Sequence, residues 1–159
     1  MGEFLAFTLK SNGILDMLKT ETLIDSNIRN ENMSIDINKK WRGLWDTGAS
    51  KSSIDKRVVN ELGLTPIGKE MISTANGVIS VNTYFVNLTL PNHVTIKNVL
   101  VTCADLGNDI DILIGMDIIR HGDFSITNTN NSTTFSFRIP SISEIDYVQT
   151  PFNNSPDHP

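Results

Sequence analysis

Leu44-Trp45-Asp46-Thr47-Gly48-Ala49-Ser50 is the stretch on which the fold turns. Two apolar residues lead into an acid, a small hydroxyl, a glycine and another small residue. An unpaired buried charge is costly, so a carboxylate at the end of an apolar strand gains nothing from burial. Gly48 permits a backbone turn that other residues resist. The pattern reads as a strand that delivers one carboxyl to a fixed point, with backbone free to approach closely. Alone, such a tripeptide is more often a turn in which the aspartate caps its own backbone. The surrounding sequence has to decide.

Upstream, Met33-Ser34-Ile35-Asp36-Ile37 alternates with period two and predicts a half-buried strand. Asn38-Lys39-Lys40 is a turn, and residues 41–45 return as the second arm of a hairpin. Downstream, residues 55–63 predict a short helix: Asp55 caps it, Val58, Val59 and Leu62 share one face, and Gly63 ends it. Residues 67–90 form a long hairpin whose tip is Ser73-Thr74-Ala75-Asn76-Gly77-Val78, since Asn-Gly between β-rich runs is a strong turn signal. Taken by itself, that tip is a surface turn. Residues 94–103 are a further strand. The apolar run in Asp111-Ile112-Leu113-Ile114-Gly115-Met116-Asp117 is a buried strand, with Asp117 the cap of a helix over 118–121. Strands over 123–127 and 133–139 complete the domain. Residues 1–30 are an N-terminal extension of uncertain structure; 4–10 alternate like a strand, and 14–22 read as a helical turn or a second strand. Residues 31–140 form the domain. Residues 141–159, rich in Pro, Ser and Asn, are a tail with disorder expected after about Val148.

The chain has 159 residues, which suits one domain with tails, and a net charge of −5. That balance argues against a nucleic-acid partner, which wants clustered Lys and Arg. Lys39, Lys40 and Arg42 read as a solvated turn. Cys103 is the only cysteine, so no internal disulfide forms; its apolar neighbours suit a buried thiol better than a nucleophile. No signal peptide or membrane span is evident, and a cytoplasmic location away from membranes is the expectation. Asp105, Asp109 and Asp111 lack the ligand ladder of a calcium loop and read as solvated. His93, His121 and His158 lack metal spacing. No metal or cofactor is expected.

The Asp-Thr-Gly-Ala motif at 46–49, the hairpin after it and the Ile112-Leu113-Ile114-Gly115 run resemble the retropepsin-like aspartic peptidases, over roughly residues 35–139. The helix at 55–63 suits the bacterial and cellular branch, because retroviral members generally lack it. The resemblance implies an all-β fold with one or two short helices, a single-lobe, barrel-like acid-protease architecture with a flap hairpin. It implies Asp46 as the catalytic acid, Thr47 and Gly48 as supports of the active-site loop, and Gly48, Ala49, Ser50, Ala75, Asn76, Gly77, Val78 and Ile112 as the substrate-binding residues. The partners implied are a second copy of the chain and a peptide or protein substrate. The terminal strands, including 133–139, are expected to interleave across that dimer.

The dimer follows from electrostatics. Such peptidases need two facing carboxyls. At about 3 Å and an effective dielectric of about 20, two carboxylates repel by roughly 5 kcal/mol, so the pair keeps one proton. One member then acts as base and the other as acid. No other aspartate here is followed by Thr-Gly or Ser-Gly, so the partner carboxyl is Asp46 of a second copy. Ala49 stands where pepsin-like enzymes place a Ser that hydrogen-bonds the dyad. Activity is therefore expected nearer mildly acidic or neutral pH. Ser50 and Met116 replace the Asp and Arg that retroviral members use in their dimer network, so the interface must be held differently. The chain is expected to be an aspartic endopeptidase. The alternatives are a catalytically weak or inactive peptide-binding or dimerisation module of the same fold, and an unrelated β-rich interaction domain.

Overall fold

The computed structural model describes residues 5–74 and 77–149. Its elements in chain order are β1 (Leu5–Lys10), β2 (Lys19–Asp25), β3 (Lys40–Trp45), β4 (Ser53–Asp55), α1 (Lys56–Glu61), β5 (Gly68–Thr74), β6 (Gly77–Thr89), β7 (Thr95–Ala104), β8 (Ile112–Ile114), α2 (Met116–Ile119), β9 (Asp123–Thr129) and β10 (Ser132–Ile139). A single 3-10 turn, Pro91–His93, joins β6 to β7. The fold is all-β with two short helices, as the sequence indicates.

Seven strands lie in the order β2-β3-β8-β4-β7-β6-β5, and β2 also pairs with β6. That last pairing closes six of them on themselves, which removes their sheet edges. Alternation fills the interior. Thr20, Thr22 and Ile24 of β2, Trp41 and Trp45 of β3, and Tyr84, Val86 and Leu88 of β6 are buried, and their neighbours along each strand are more exposed. β5 lies outside the ring and pairs only with the first half of β6, from Gly68↔Thr83 to Thr74↔Gly77. Residues 77–80 of β6 are exposed, so this hairpin projects from the body.

A second sheet of order β1-β10-β9 covers one side. Its register sets Phe7, Phe137 and Phe124 in one row, with Phe135 on the same face. These rings close on Trp45, with centroid separations of 5.9, 5.0, 5.9 and 5.2 Å for Phe7, Phe137, Phe124 and Phe135. Aromatic pairs of this kind contribute about 0.5–1.5 kcal/mol each beyond area burial. Trp45 Nε1 donates to Thr20 Oγ1 at 3.0 Å, so the indole is fixed at both its apolar and its polar end.

Several expectations need correction. No strand forms over residues 33–37. Asp36 turns the chain there: its carboxylate accepts from the Asn38 amide at 2.9 Å and its carbonyl from the Lys39 amide at 3.2 Å. The partner of β3 is β2, in the register Lys19↔Leu44 to Leu23↔Lys40. Of the two readings of 14–22, the strand is what forms, displaced to Lys19–Asp25. The N-terminal residues therefore supply strands to both sheets. β10 lies between β1 and β9, so both its edges are filled within one chain, and an interleaving of 133–139 with a second copy is closed to it. Residues 150–159 of the expected disordered tail lie outside the described residues.

The tail begins with a specific anchor. Asp123 accepts from the Ser141 hydroxyl, from the Ile142 amide at 3.1 Å and from Arg138 Nε at 2.7 Å. The Ser141 hydroxyl, then the Ile142 amide, hold its carboxyl at about 2, below the ordinary 3.8, with Arg138 assisting against desolvation. A folded value below the unfolded one stabilises the fold fully above about pH 4, and the effect fades as pH falls toward 2. Asp123→Asn is expected to lower Tm at neutral pH and to flatten the loss of stability across that acid window. Melting curves of variant and wild type that run parallel through the window would contradict this.

Candidate active site

β3 and β8 run parallel, pairing Gly43↔Ile112, Leu44↔Leu113 and Trp45↔Ile114. Parallel strands end on the same side, so Asp46 and Gly115 emerge together. The Asp46 amide donates to the Ile114 carbonyl at 3.0 Å, extending the ladder by one step. The chain then crosses the end of β8 and returns along its other side as β4, antiparallel in the register Ser53↔Leu113 and Ile54↔Ile112. Residues 46–52 thus arch over β8, which is gripped between the two legs of the arch.

Backbone contact fixes the arch. The Met116 amide donates to the Ala49 carbonyl at 2.8 Å. A Cβ on Gly115 would lie 2.8 Å from the Lys51 carbonyl carbon and oxygen and 2.9 Å from the Ala49 oxygen, closer than real side chains come. Ser52 is buried beneath the arch: its hydroxyl accepts from the Gly115 amide at 3.0 Å and donates to Asp117 at 2.8 Å, and its amide donates to the same carboxylate at 2.9 Å. Gly115, not Asp117, is the cap residue of α2. Asp117 lies in the first turn, where its carboxylate binds Ser52 and the Ile118 amide. It braces the arch.

Within the arch, Gly48 donates its amide to Asp46 Oδ1 at 2.8 Å, and the Ala49 amide reaches the Asp46 carbonyl at 3.3 Å. The self-capping turn is therefore present, and it orients the carboxyl. Asp46 and Ala49 are half-buried; Thr47, Gly48 and Ser50 are exposed. All five proposed residues of the loop are held on one short arch.

The projecting hairpin stands beside it. Glu70 of β5 forms an ion pair with Lys51 of the arch. Glu70↔Val81 and Ile72↔Ile79 are directly paired, so these four residues share one face, which Glu70 turns toward the arch. Val78 pairs with Ser73 on the opposite face. Ile72 and Ile79 are thus apolar residues on the arch-facing side of the hairpin that the sequence reading did not name; the alternation of the hairpin contained the signal. Gly77 turns with φ +114°, a conformation few other residues adopt. Ala75 and Asn76 lie outside the described residues. Ile112 is fully buried between β3 and β4, so it supports the strand and has no surface to offer a substrate; its neighbour Leu113 is half-exposed.

An ion network holds the other end of β8. Asp111 is buried. Arg42 donates to it from the backbone amide at 2.8 Å, from Nε at 2.9 Å and from Nη2 at 3.0 Å. Burial pushes this carboxyl up, but the Arg42 hydrogen bonds outweigh that and hold it below its ordinary value. Fully buried Asp55 behaves alike: burial is opposed by Arg57 Nε at 2.7 Å, and by the amides of Arg57 and Leu106, both at 2.8 Å. The acidic loop is therefore solvated only in part; Asp105 pairs with Lys56 at 2.8 Å, and Asp111 is a buried anchor. Cys103 is half-buried on β7, and burial, followed by the nearby Asp55 charge, pushes its thiol up.

Residues 32–118 match the model of a family described as aspartyl protease. Among solved structures, a retropepsin-like aspartic protease from Rickettsia conorii aligns with a TM-score of 0.56 at 15% identity, over 86% of this chain and 96% of that one. The EIAV protease complexed with the inhibitor HBY-793 aligns with a TM-score of 0.50 at 19% identity, over 69% of this chain and 91% of that one. At such identities the likeness concerns the fold. A comparison with curated protein sequences finds no match.

Gly115→Ala tests the arch. The added methyl has only backbone to push against, so a loss of about 1–3 kcal/mol in denaturant unfolding is expected, as for other overpacked sites. An unchanged midpoint would mean that the arch and β8 are not in close contact.

Proposed function

Since the chain belongs to the aspartyl protease family, we propose that it is an aspartic endopeptidase, active as a homodimer in which the Asp46 carboxyls of two copies face each other. The observation that supports this most is the arch. It presents one carboxyl, oriented by the Gly48 amide, at the end of a parallel strand pair, beside a projecting hairpin. One arch supplies one carboxyl, and the reaction needs two. A two-fold axis beside Asp46 brings the second from the same residue.

The paired carboxyls share one proton. The ionised one removes a proton from a water held between them, and the water oxygen attacks the peptide carbonyl. The protonated one gives its proton to the carbonyl oxygen. Collapse of the tetrahedral intermediate, with a proton passed to the leaving nitrogen, breaks the C–N bond and restores the dyad. The substrate lies extended between the arch and the hairpin, as an added strand. Gly48, Ala49 and Ser50 form its floor, and Gly77 with the Ile72 and Ile79 face forms its cover. Thr47 and Gly48 brace the two arches against each other.

A peptide library incubated at about pH 3 to 8 and at several protein concentrations tests the reading. Cleavage is expected to rise faster than linearly with concentration at limiting protein, and to vanish in Asp46→Asn. Because Ala49 offers the dyad no hydroxyl, the optimum is expected at mildly acidic to neutral pH; an optimum below about pH 3 contradicts that. Folded, dimeric wild type that cleaves nothing would point instead to a peptide-binding module.

A further inference from the structure

We infer that the second copy docks on an apolar surface formed by Ile14, Leu15 and Met17 with Leu9 and Ile126, and not through interleaved terminal strands. The inference rests on the homodimeric reading above. If two Asp46 carboxyls must come within about 3 Å, whatever surrounds Asp46 on its open side is covered by the partner. What lies there can be read from the register.

β2 and β3 pair from Lys19↔Leu44, and the Trp45 amide donates to the Leu18 carbonyl at 3.0 Å. The antiparallel line therefore continues one residue past β2. One step further the chain bends at Asp16 and Met17, directly before the residues that pair beside Trp45. Met17 is 54% exposed, and Ile14 and Leu15 before it are 51% and 46% exposed. The segment is not loose. The Leu15 amide donates to Thr133 Oγ1 at 3.0 Å, and the Thr133 amide to the Gly13 carbonyl at 3.1 Å, with Thr133 itself buried. A segment already held in place loses little entropy on docking.

The second sheet places two more exposed apolar residues beside a ring that packs on Trp45. Leu9 and Ile126 flank Phe135 in the register Leu9↔Phe135↔Ile126, and the Phe135 ring rests on Trp45, the residue before Asp46. Both flanking residues are exposed. Lys10, Asp16 and Lys19, each within two residues of a patch residue in the chain and all exposed, carry charges of both signs. An apolar centre with a mixed-charge rim suits a self-complementary contact about a two-fold axis, where one copy's Asp16 meets a lysine of the other. Interleaving is closed off on both flanks of β10. The outer side of β1 is further occupied by Asn92, whose Nδ2 donates to the Ala6 carbonyl at 2.8 Å.

Sedimentation velocity over a concentration series, run beside peptide cleavage, tests this. Leu15→Glu and the double variant Leu15→Glu/Met17→Glu are expected to raise the dimer dissociation constant by at least about tenfold. Their melting curves should match that of the wild-type monomer, and cleavage by Leu15→Glu should recover at high protein concentration. Val148→Glu, on the exposed tail, should leave association unchanged. Unchanged association in both patch variants overturns the proposal while leaving the dimer intact. Wild type that cleaves through Asp46 while monomeric at every concentration would overturn the homodimeric reading and this inference together.

Discussion

At Gly115 two stretches of backbone come closer than any side chain would allow. The residue before it accepts from the Asp46 amide, the residue after it donates to the Ala49 carbonyl, and its own α-carbon faces the Lys51 peptide. Those contacts let a loop of seven residues, 46–52, straddle a three-residue strand. Without them Asp46 would sit on an ordinary surface turn, free to move. With them, the carboxyl position is set by the main chain, which is stiffer than any side-chain contact and is shared by both legs of the arch.

The rest of the fold keeps β8 where the arch needs it. A strand of three residues cannot hold itself, so each end is tied. At the arch end, Ser52 and Asp117 form a small hydrogen-bonded bridge. At the other end, Arg42, Asp111, Arg57 and Asp55 form a charged bridge. Both buried carboxylates accept several hydrogen bonds, which is the condition for charges to be retained out of water. Trp45 completes the frame by fixing the residue next to the acid between Thr20 and a wall of phenylalanines. The arch therefore hangs from three supports of different chemistry: backbone, ionic and aromatic.

The sequence disclosed most where the signals are local. Asp55 capping α1 and Gly63 ending it at φ +59° are written within a few residues of each other. The same holds for the hairpin, for β8 and for the arch itself, whose acid, glycine and small neighbours stand together. What was illegible depends on partners far along the chain. Arg42 and Asp111 are 69 residues apart, and Ser52 and Asp117 are 65 apart. So Asp111 looked like one acid of a solvated loop, and Asp117 like a helix cap. The alternation of residues 33–37 was real, but Asp36 folds back on its own backbone, and a better-patterned strand lay earlier in the chain. Ile112 looked available to a substrate until β3 and β4 were seen to close over it. The central place of β10 follows from β1 docking across nearly the whole chain, which no local pattern announces.

Whether one active site is made from two Asp46 carboxyls separates a shared dyad from a complete site in each copy. Mixing settles this directly: wild type and Asp46→Asn are combined at fixed total concentration, allowed to exchange subunits, and assayed. If the site is shared, only dimers of two wild-type copies work, and activity falls as the square of the wild-type fraction, to roughly one quarter at an equal mixture. If activity falls in direct proportion, to roughly one half, each copy carries a complete site of its own, and the shared dyad is wrong.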